Sequence, residues 1–231
     1  VYDRRIAKIE GEMQSLKTLF PNLKRTGPSV RAYAAPGAVD IDGDPGEYSY
    51  GWTTLRDLHT GERPIKNVTR AVVTMKRNRT ALIVGAVCYE NRMDEIKADC
   101  TTNDDFSIFQ DDVVEVYVNT PERSYFKIVV NPNGAVWTEC TDVAIVDRDT
   151  KPILWDPGVK AAVRKYDDRW TVEIMIPTDD FGDMGPTKTY PWGIQVGRTR
   201  FTGGYARAWA IAPTGGGPYR SLNRWGDLWM R

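Results

Sequence analysis

One histidine, His59, and three cysteines are all that 231 residues offer of the common soft ligands and nucleophiles, and no C-x-x-C pair occurs. That scarcity removes several classes of chemistry. Zinc sites and dithiol redox centres need paired ligands at short spacing. A nucleophilic triad needs a histidine near a nucleophile elbow, yet His59 sits in the loop-like "DLHTGERP" and no G-x-S-x-G precedes a helix. Net charge is lacking as well. Lys+Arg and Asp+Glu both total 31, so no long-range field draws the chain to nucleic acid or to an anionic membrane. No stretch supplies the roughly 18 apolar residues of a membrane-spanning helix, and no membrane insertion by that route is expected. The chain opens on Val1 without a charged-then-apolar leader and reads as a mature form or an excised piece. Cys88, inside the apolar run "ALIVGAVCY", reads as a small core residue, and in an exported protein Cys100 and Cys140 are candidates for a disulfide.

What the chain has in quantity is aromatic: 8 Trp and 11 Tyr, more than a plain core requires. Flat rigid rings favour recognition of a partner with a flat apolar face, and a balanced charge favours a neutral one. "RRIAKIEGEMQSLKTLF" spaces Ile6, Ile9, Met13, Leu16 and Phe20 by three and four, which predicts an amphipathic helix ended by Pro21. "KRTGPSVRAYAAPGA" follows as linker, so residues 1–30 are expected to be a helical segment and 31–231 the main domain. From Arg70 the period changes to two. "RAVVTMK", "ALIVGAVCY", "DVVEVYVN", "YFKIVVN", "VKAAVRKY", "WTVEIMIP", "WGIQVGRTRF" and "ARAWAIA" read as strands separated by turn signals at Asn78-Arg79, Asn131 to Gly134 and Asp167-Asp168. With no helices between strands, parallel crossovers are not expected. The predicted class is all-β, an antiparallel β-sandwich with an N-terminal helix.

The stretch "SIFQDDVVEVYVNT" carries the acids of most interest. Alternation puts Val114, Val116 and Val118 on the side of Asp112, and Asp111, Glu115, Tyr117 and Asn119 on the other. In the next strand Phe126, Ile128 and Val130 point inward and Lys127 outward. A hairpin would therefore gather Glu115, Tyr117 and Lys127 on one outer face, as a ligand surface or as a solvated face with a cross-strand ion pair. The adjacent pairs Asp104-Asp105, Asp111-Asp112, Asp167-Asp168 and Asp179-Asp180 point opposite ways or lie in turns. None assembles the two facing carboxylates of a glycosidase, so no catalysis is expected.

Six motifs in order resemble carbohydrate-binding module family 9, the cellulose- and xylan-binding type with a DOMON-like sandwich. "VDIDGDPGEYSYGW" is similar to its opening I-D-G-x-x-D/E-x-x-W, "FQDDVVEVYVN" to its D-D-x-V-E-V strand, and "YFKIVVNPNGAVW" to its F-x-V-N-x-x-G hairpin. "WTVEIMIP", "WGIQVGRTR" and "RWGDL" resemble the later strands, so the likeness runs from about Ala38 to Leu228. It implies a jelly-roll-like, non-catalytic module that binds polysaccharide or oligosaccharide chains or their ends. It also implies a secreted or cell-surface (periplasmic) setting and neighbouring domains, commonly those of a glycoside hydrolase.

Some family members hold sugar between two tryptophans, whose places fall here on Phe109 and Tyr219. The family's glutamate falls on Glu115, and polar contacts fall on Lys127 and Gln195. Trp137, after the Asn-Gly turn, is a further stacking ring or a packing residue, and Arg198 lines the site or is buried in ion pairs. Asp40, Asp42 and Asp44 around Gly43 fit either an Asp-capped turn or oxygen ligands for a structural Ca²⁺, which several family members carry. Two other readings remain open. One is a structural or partner-docking sandwich with a degenerate site, and the other a haem domain using His59 with Met75, Met93 or Met175.

Overall fold

A computed structural model describes residues 25–35, 37, 39–65, 68–120, 123–142, 153–155, 158–181, 191–219 and 221–230. The predicted helix at residues 4–20 lies outside the described residues. Fourteen strands are seen among those described: β1 (Ser29–Ala34), β2 (Thr53–Thr54), β3 (Arg56–Asp57), β4 (Ala71–Arg77), β5 (Ala81–Tyr89), β6 (Val113–Asn119) and β7 (Arg123–Val130), then β8 (Val136–Asp142), β9 (Ile153–Leu154), β10 (Lys160–Lys165), β11 (Arg169–Pro177), β12 (Trp192–Arg200), β13 (Arg207–Ala210) and β14 (Gly226–Met230). Short 3-10 turns are the only helices among the described residues. The expectation of a nearly all-β chain holds.

The strands hydrogen-bond in the order β10-β11-β5-β4-β1-β14-β12-β6-β7-β8-β9, with β13 on β12 and β2 on β4. The path curls back so that its two halves share one core, like a barrel that does not quite close. Inward residues of β4, β5 and β11, such as Val73, Leu82, Val84, Val172 and Ile174, pack in the same cluster as Val114, Val116, Phe126, Ile128, Ile194 and Val196 of β6, β7 and β12. Each fully buried Val or Ile contributes about 1.5–3 kcal/mol relative to exposure, which makes this shared face the main source of stability.

Pairing is antiparallel along the path except at β1, and here the expectation of no parallel pairing is corrected. β1 runs parallel to β14 through Ser29 to Ala32, then parallel to β4 through Tyr33 and Ala34. No crossover helix is needed, because most of the chain separates β1 from β14, and a stretch of more than thirty residues, whose described part holds only a 3-10 turn and the two-residue strands β2 and β3, separates it from β4. The candidate disulfide is also corrected. No disulfide joins Cys100 to Cys140, and all three cysteines are buried; Cys140 belongs to the main core, while Cys100 packs with Trp137 and Val129 in a separate cluster.

Candidate functional site

Strand register assembles the outer face of β12-β6-β7-β8 as a grid. One row across the four strands reads Gly197, Glu115, Val129 and Trp137; the next reads Gln195, Tyr117, Lys127 and Glu139. Glu115, Tyr117 and Lys127 thus meet on one face as their alternation predicts. The face is not solvated, however: Glu115 is 6% and Lys127 4% exposed. Burying charges is costly unless they are paired and hydrogen-bonded, and here they are. Lys127 Nζ stands 3.6 Å from Glu115 Oε2 and 4.0 Å from Glu139 Oε1. Glu115 accepts hydrogen bonds from the Tyr117 hydroxyl at 2.7 Å and the Thr199 hydroxyl at 2.9 Å. Glu139 accepts one from Trp137 Nε1 at 2.9 Å.

Two loop regions roof this face. Residues 97–111 pack Cys100 and Ile108 onto Val113, Val129, Ala135 and Trp137. The other roof is the 211–225 segment, which lays Tyr219 and Trp225 on Tyr117 and Tyr125. Tyr219 lies flat because Gly197 is beneath it: a Cβ there would stand 2.3 Å from the Tyr219 ring. Its hydroxyl is 3.0 Å from the Arg198 carbonyl and 3.1 Å from that of Trp209, and donates to one at a time. Burial, and after it the Glu115 charge, push the phenol well above its ordinary value of 10, so it remains a donor. Gly193 has the same use two rows on, where the Arg25 guanidinium covers it and donates to Asn119 at 2.5 Å. Between the two roofs run the charged pair and its lysine, edged by rings.

The structure brings together Phe109, Glu115, Lys127 and Trp137, and places Tyr219 beside them. Lys127 Nζ sits 4.0 Å from the centroid of the Phe109 ring, and Phe109 meets Trp137 edge-on at 5.3 Å. Tyr219 stacks on Tyr117 at 5.9 Å rather than facing Phe109. Gln195 is on the right face but is fully buried; its amide donates to the Ala212 carbonyl at 2.6 Å and accepts from the Ala212 N–H at 3.1 Å, so it anchors the second roof.

Arg198 is not brought to the cluster. It alternates with Gly197 and Thr199, so it points to the core side, where it donates to Glu90 at 3.1 Å and to the Tyr89 carbonyl at 2.6 Å. This is the buried ion pair left open by the sequence. Arg200 donates to the same Glu90 at 2.6 Å. Burial alone would raise the Glu90 carboxyl, but the Arg200 hydrogen bond and the charges of both arginines hold it below its ordinary 4.5.

Glu139, Tyr125, Thr199 and Phe106 were missed by the sequence reading. Glu139 had a readable signal, since a hairpin centred on Asn133 sets it opposite Lys127. The aspartates act as staples: Asp111 accepts from the Asp99 and Cys100 N–H groups at 2.8 and 2.9 Å, and Asp112 from Phe201 N–H at 2.6 Å and Thr202 N–H at 3.0 Å. Their side chains serve opposite sides of the strand, as alternation requires.

The Asp40, Asp42 and Asp44 turn does not fit a calcium cage. Arg164 pairs with both Asp42 and Asp44, and Asp44 caps a 3-10 turn by accepting from Gly46 N–H at 3.0 Å. Asp42 accepts from Asp44 N–H at 2.8 Å. The turn is tied down by buried Glu173, which accepts from the Asp42 and Gly43 N–H groups at 3.0 Å and from the Tyr48 hydroxyl at 2.7 Å. Among the described residues no three acidic, histidine or cysteine side chains form a group able to hold a metal. His59 is exposed in a turn while Met75 is sealed in the core.

The nearly closed β-fold has counterparts among solved structures. A Bacteroides uniformis protein proposed to bind carbohydrate superposes with a TM-score of 0.69 at 12% identity, over 89% of this chain and all of that one. A carbohydrate-binding module of family 9 from Caldicellulosiruptor kristjanssonii, solved with cellotriose and with glucose, gives a TM-score of 0.59 at 16% identity. These cover 87% of this chain and 93% and 95% of the two module chains. The fold is therefore shared with family 9 modules. No protein-family model matches the sequence, and no curated protein sequence matches it.

Proposed function

We propose that the chain is a non-catalytic carbohydrate-binding module, a jelly-roll-like sandwich that begins with β1 at Ser29 rather than at residue 31, preceded by the helix expected over residues 4–20. It binds sugar chains or their ends on the roofed face of β12-β6-β7-β8. The observation that carries this reading is the Glu115, Lys127 and Glu139 cluster, which spans two adjacent rows and has aromatic rings at its rim. Carboxylates accept from sugar hydroxyls, an ammonium donates to them, and rings stack on apolar C–H faces, so the cluster and its rim offer each type of contact a neutral sugar needs. The reading is supported by a fold shared with modules solved with glucose and cellotriose. A secreted or cell-surface protein, with neighbouring domains that act on glycans, is the setting we propose for it.

A glycan array followed by titration calorimetry tests the assignment. The wild type should retain at least one neutral glycan, and Glu115→Gln, which keeps the side chain's shape, should lose that retention while remaining folded at the assay temperature by circular dichroism, its Tm lowered by loss of the buried pair with Lys127. Retention unchanged in the variant would overturn the site. A second reading draws on how fully the site satisfies itself: Gln195 is spent on Ala212, and Tyr219 is 8% exposed. On that view the fold is a partner-docking sandwich, and the wild type would retain no glycan at all.

A further inference from the structure

Stacking a sugar requires a ring with a face open to solvent, and most rings of the site have none. Tyr117 is buried among Tyr125, Tyr219 and Trp225. Trp137 is 8% exposed, with its indole N–H committed to Glu139. Phe109 is half-buried, with Lys127 over its ring at 4.0 Å. Phe106, three residues earlier, is 72% exposed. It touches Phe109 edge-on at 5.2 Å and Trp137 at 6.0 Å, which sets it one ring-width further out from the charged row.

The loop that presents Phe106 is stapled at nearly every turn. Asn133 Nδ2 donates to the Ala98 carbonyl at 2.5 Å, Asn103 accepts from Val136 N–H and Asp104 from Thr138 N–H, both at 3.0 Å. Asp105 caps the 3-10 turn Phe106–Gln110 by accepting from Ser107 N–H at 2.8 Å. A single exposed apolar side chain is ordinary on any surface. An exposed ring at the rim of an aromatic and carboxylate site, on a loop whose order is already established, is preorganised for a ligand at little entropic cost.

We infer that Phe106 is an outer stacking platform, holding a second sugar unit beyond the one that meets Glu115 and Lys127. The inference rests on the proposed function and deepens it: the ligand is an oligosaccharide of at least two pyranose units. An equatorially substituted unit such as glucose or xylose presents the flat C–H face that the Phe106 ring accepts. Phe109 and Trp137 act on this view as the props of Phe106 rather than as the stacking surface.

The test uses glucose and cellotriose, and xylose and xylotriose, titrated into wild type, Phe106→Ala and Phe106→Tyr. The wild type should bind one trisaccharide roughly five- to tenfold more tightly than its monosaccharide, the range that one added ring contact supplies. Phe106→Ala should erase that preference, leave the monosaccharide affinity and the Tm unchanged, and Phe106→Tyr should restore the preference. A preference that survives Phe106→Ala, or a wild type that binds both lengths equally, overturns the platform while leaving the site itself standing. A wild type that binds none of the four sugars, and no glycan on the array, overturns the proposed function and the platform with it.

Discussion

Gly197→Ala probes how the second roof is seated. A methyl at Gly197 would stand 2.3 Å from Tyr219 Cε1, 2.6 Å from Cζ and 2.7 Å from the hydroxyl oxygen. Ordinary van der Waals contact begins at 3.4 Å, so the ring would have to withdraw by about 1 Å. The strand backbone itself accepts alanine, so the whole effect passes through Tyr219. Overpacking of this kind costs about 1–3 kcal/mol. Loss of the phenol's bond to the Arg198 or Trp209 carbonyl adds about 1 kcal/mol. At about 2–4 °C per kcal/mol for a domain of this size, Tm should fall by roughly 4–16 °C. Differential scanning fluorimetry on the single variants and on Gly197→Ala combined with Tyr219→Ala isolates the mechanism. With the ring gone there is nothing to clash with, so the alanine at 197 should cost less than about 0.5 kcal/mol on the Tyr219→Ala background. Additive losses in the double variant, or an unchanged Tm in Gly197→Ala, would refute the reasoning.

Other expectations follow from the buried charges, the Asp turn and the cysteines. Glu90→Gln leaves Arg198 and Arg200 buried without their carboxylate, and urea denaturation at neutral pH should show a loss of about 3–5 kcal/mol. Because the folded carboxyl is held below 4.5, its contribution is complete above that pH and is lost as pH falls through the folded value. The gap between wild type and variant should therefore close in acid, and a gap constant down to acid unfolding would contradict the pairing. Chelation with EDTA should leave Tm unchanged, since Arg164 engages Asp42 and Asp44; a drop reversed by calcium would restore the cation site. Thiol titration should count Cys88, Cys100 and Cys140 as three thiols in denaturant and find them unreactive in the folded protein, and a protein with fewer than three titratable thiols would contradict that arrangement. Burial pushes the Cys88 thiol up to about 12, which opposes thiolate formation further.

Local period made the strands and their faces legible. In β6 and β7 the alternation of Val114, Glu115, Val116 and Tyr117 against Phe126, Lys127 and Ile128 sufficed to place these side chains on their sides of the sheet. The same rule, applied to "WGIQVGRTR", separates Gln195 from Arg198, because positions an odd number apart in a strand face opposite ways. What lay beyond reach was the roof. Whether Glu115 is solvated or buried depends on loops 97–111 and 211–225, and these are held by long-range staples such as Asp111 to Cys100 and Gln195 to Ala212. No periodicity encodes such contacts. The Asp40, Asp42 and Asp44 cluster stayed open between two readings for a related reason: the charge of Asp42 and Asp44 is answered by Arg164, which is far away in sequence and arrives only when β10 packs beside the turn.

The parallel seam at β1 orders events in time. Ser29 to Ala32 pair with Asp227 to Met230, so the hydrogen bonds that join the two halves require the last strand of the chain. Until β14 is available, β1 has only its short pairing with β4, and β12 lacks the neighbour that binds Trp192 to Ile194. Two bare strand edges then coexist on one unfinished molecule, and bare edges template pairing with other chains. Contacts this distant in sequence also form slowly. A shortened chain that stops before Gly226 is therefore expected to aggregate rather than to form a smaller folded domain, and its yield should recover when a peptide spanning β14 is supplied in trans during refolding.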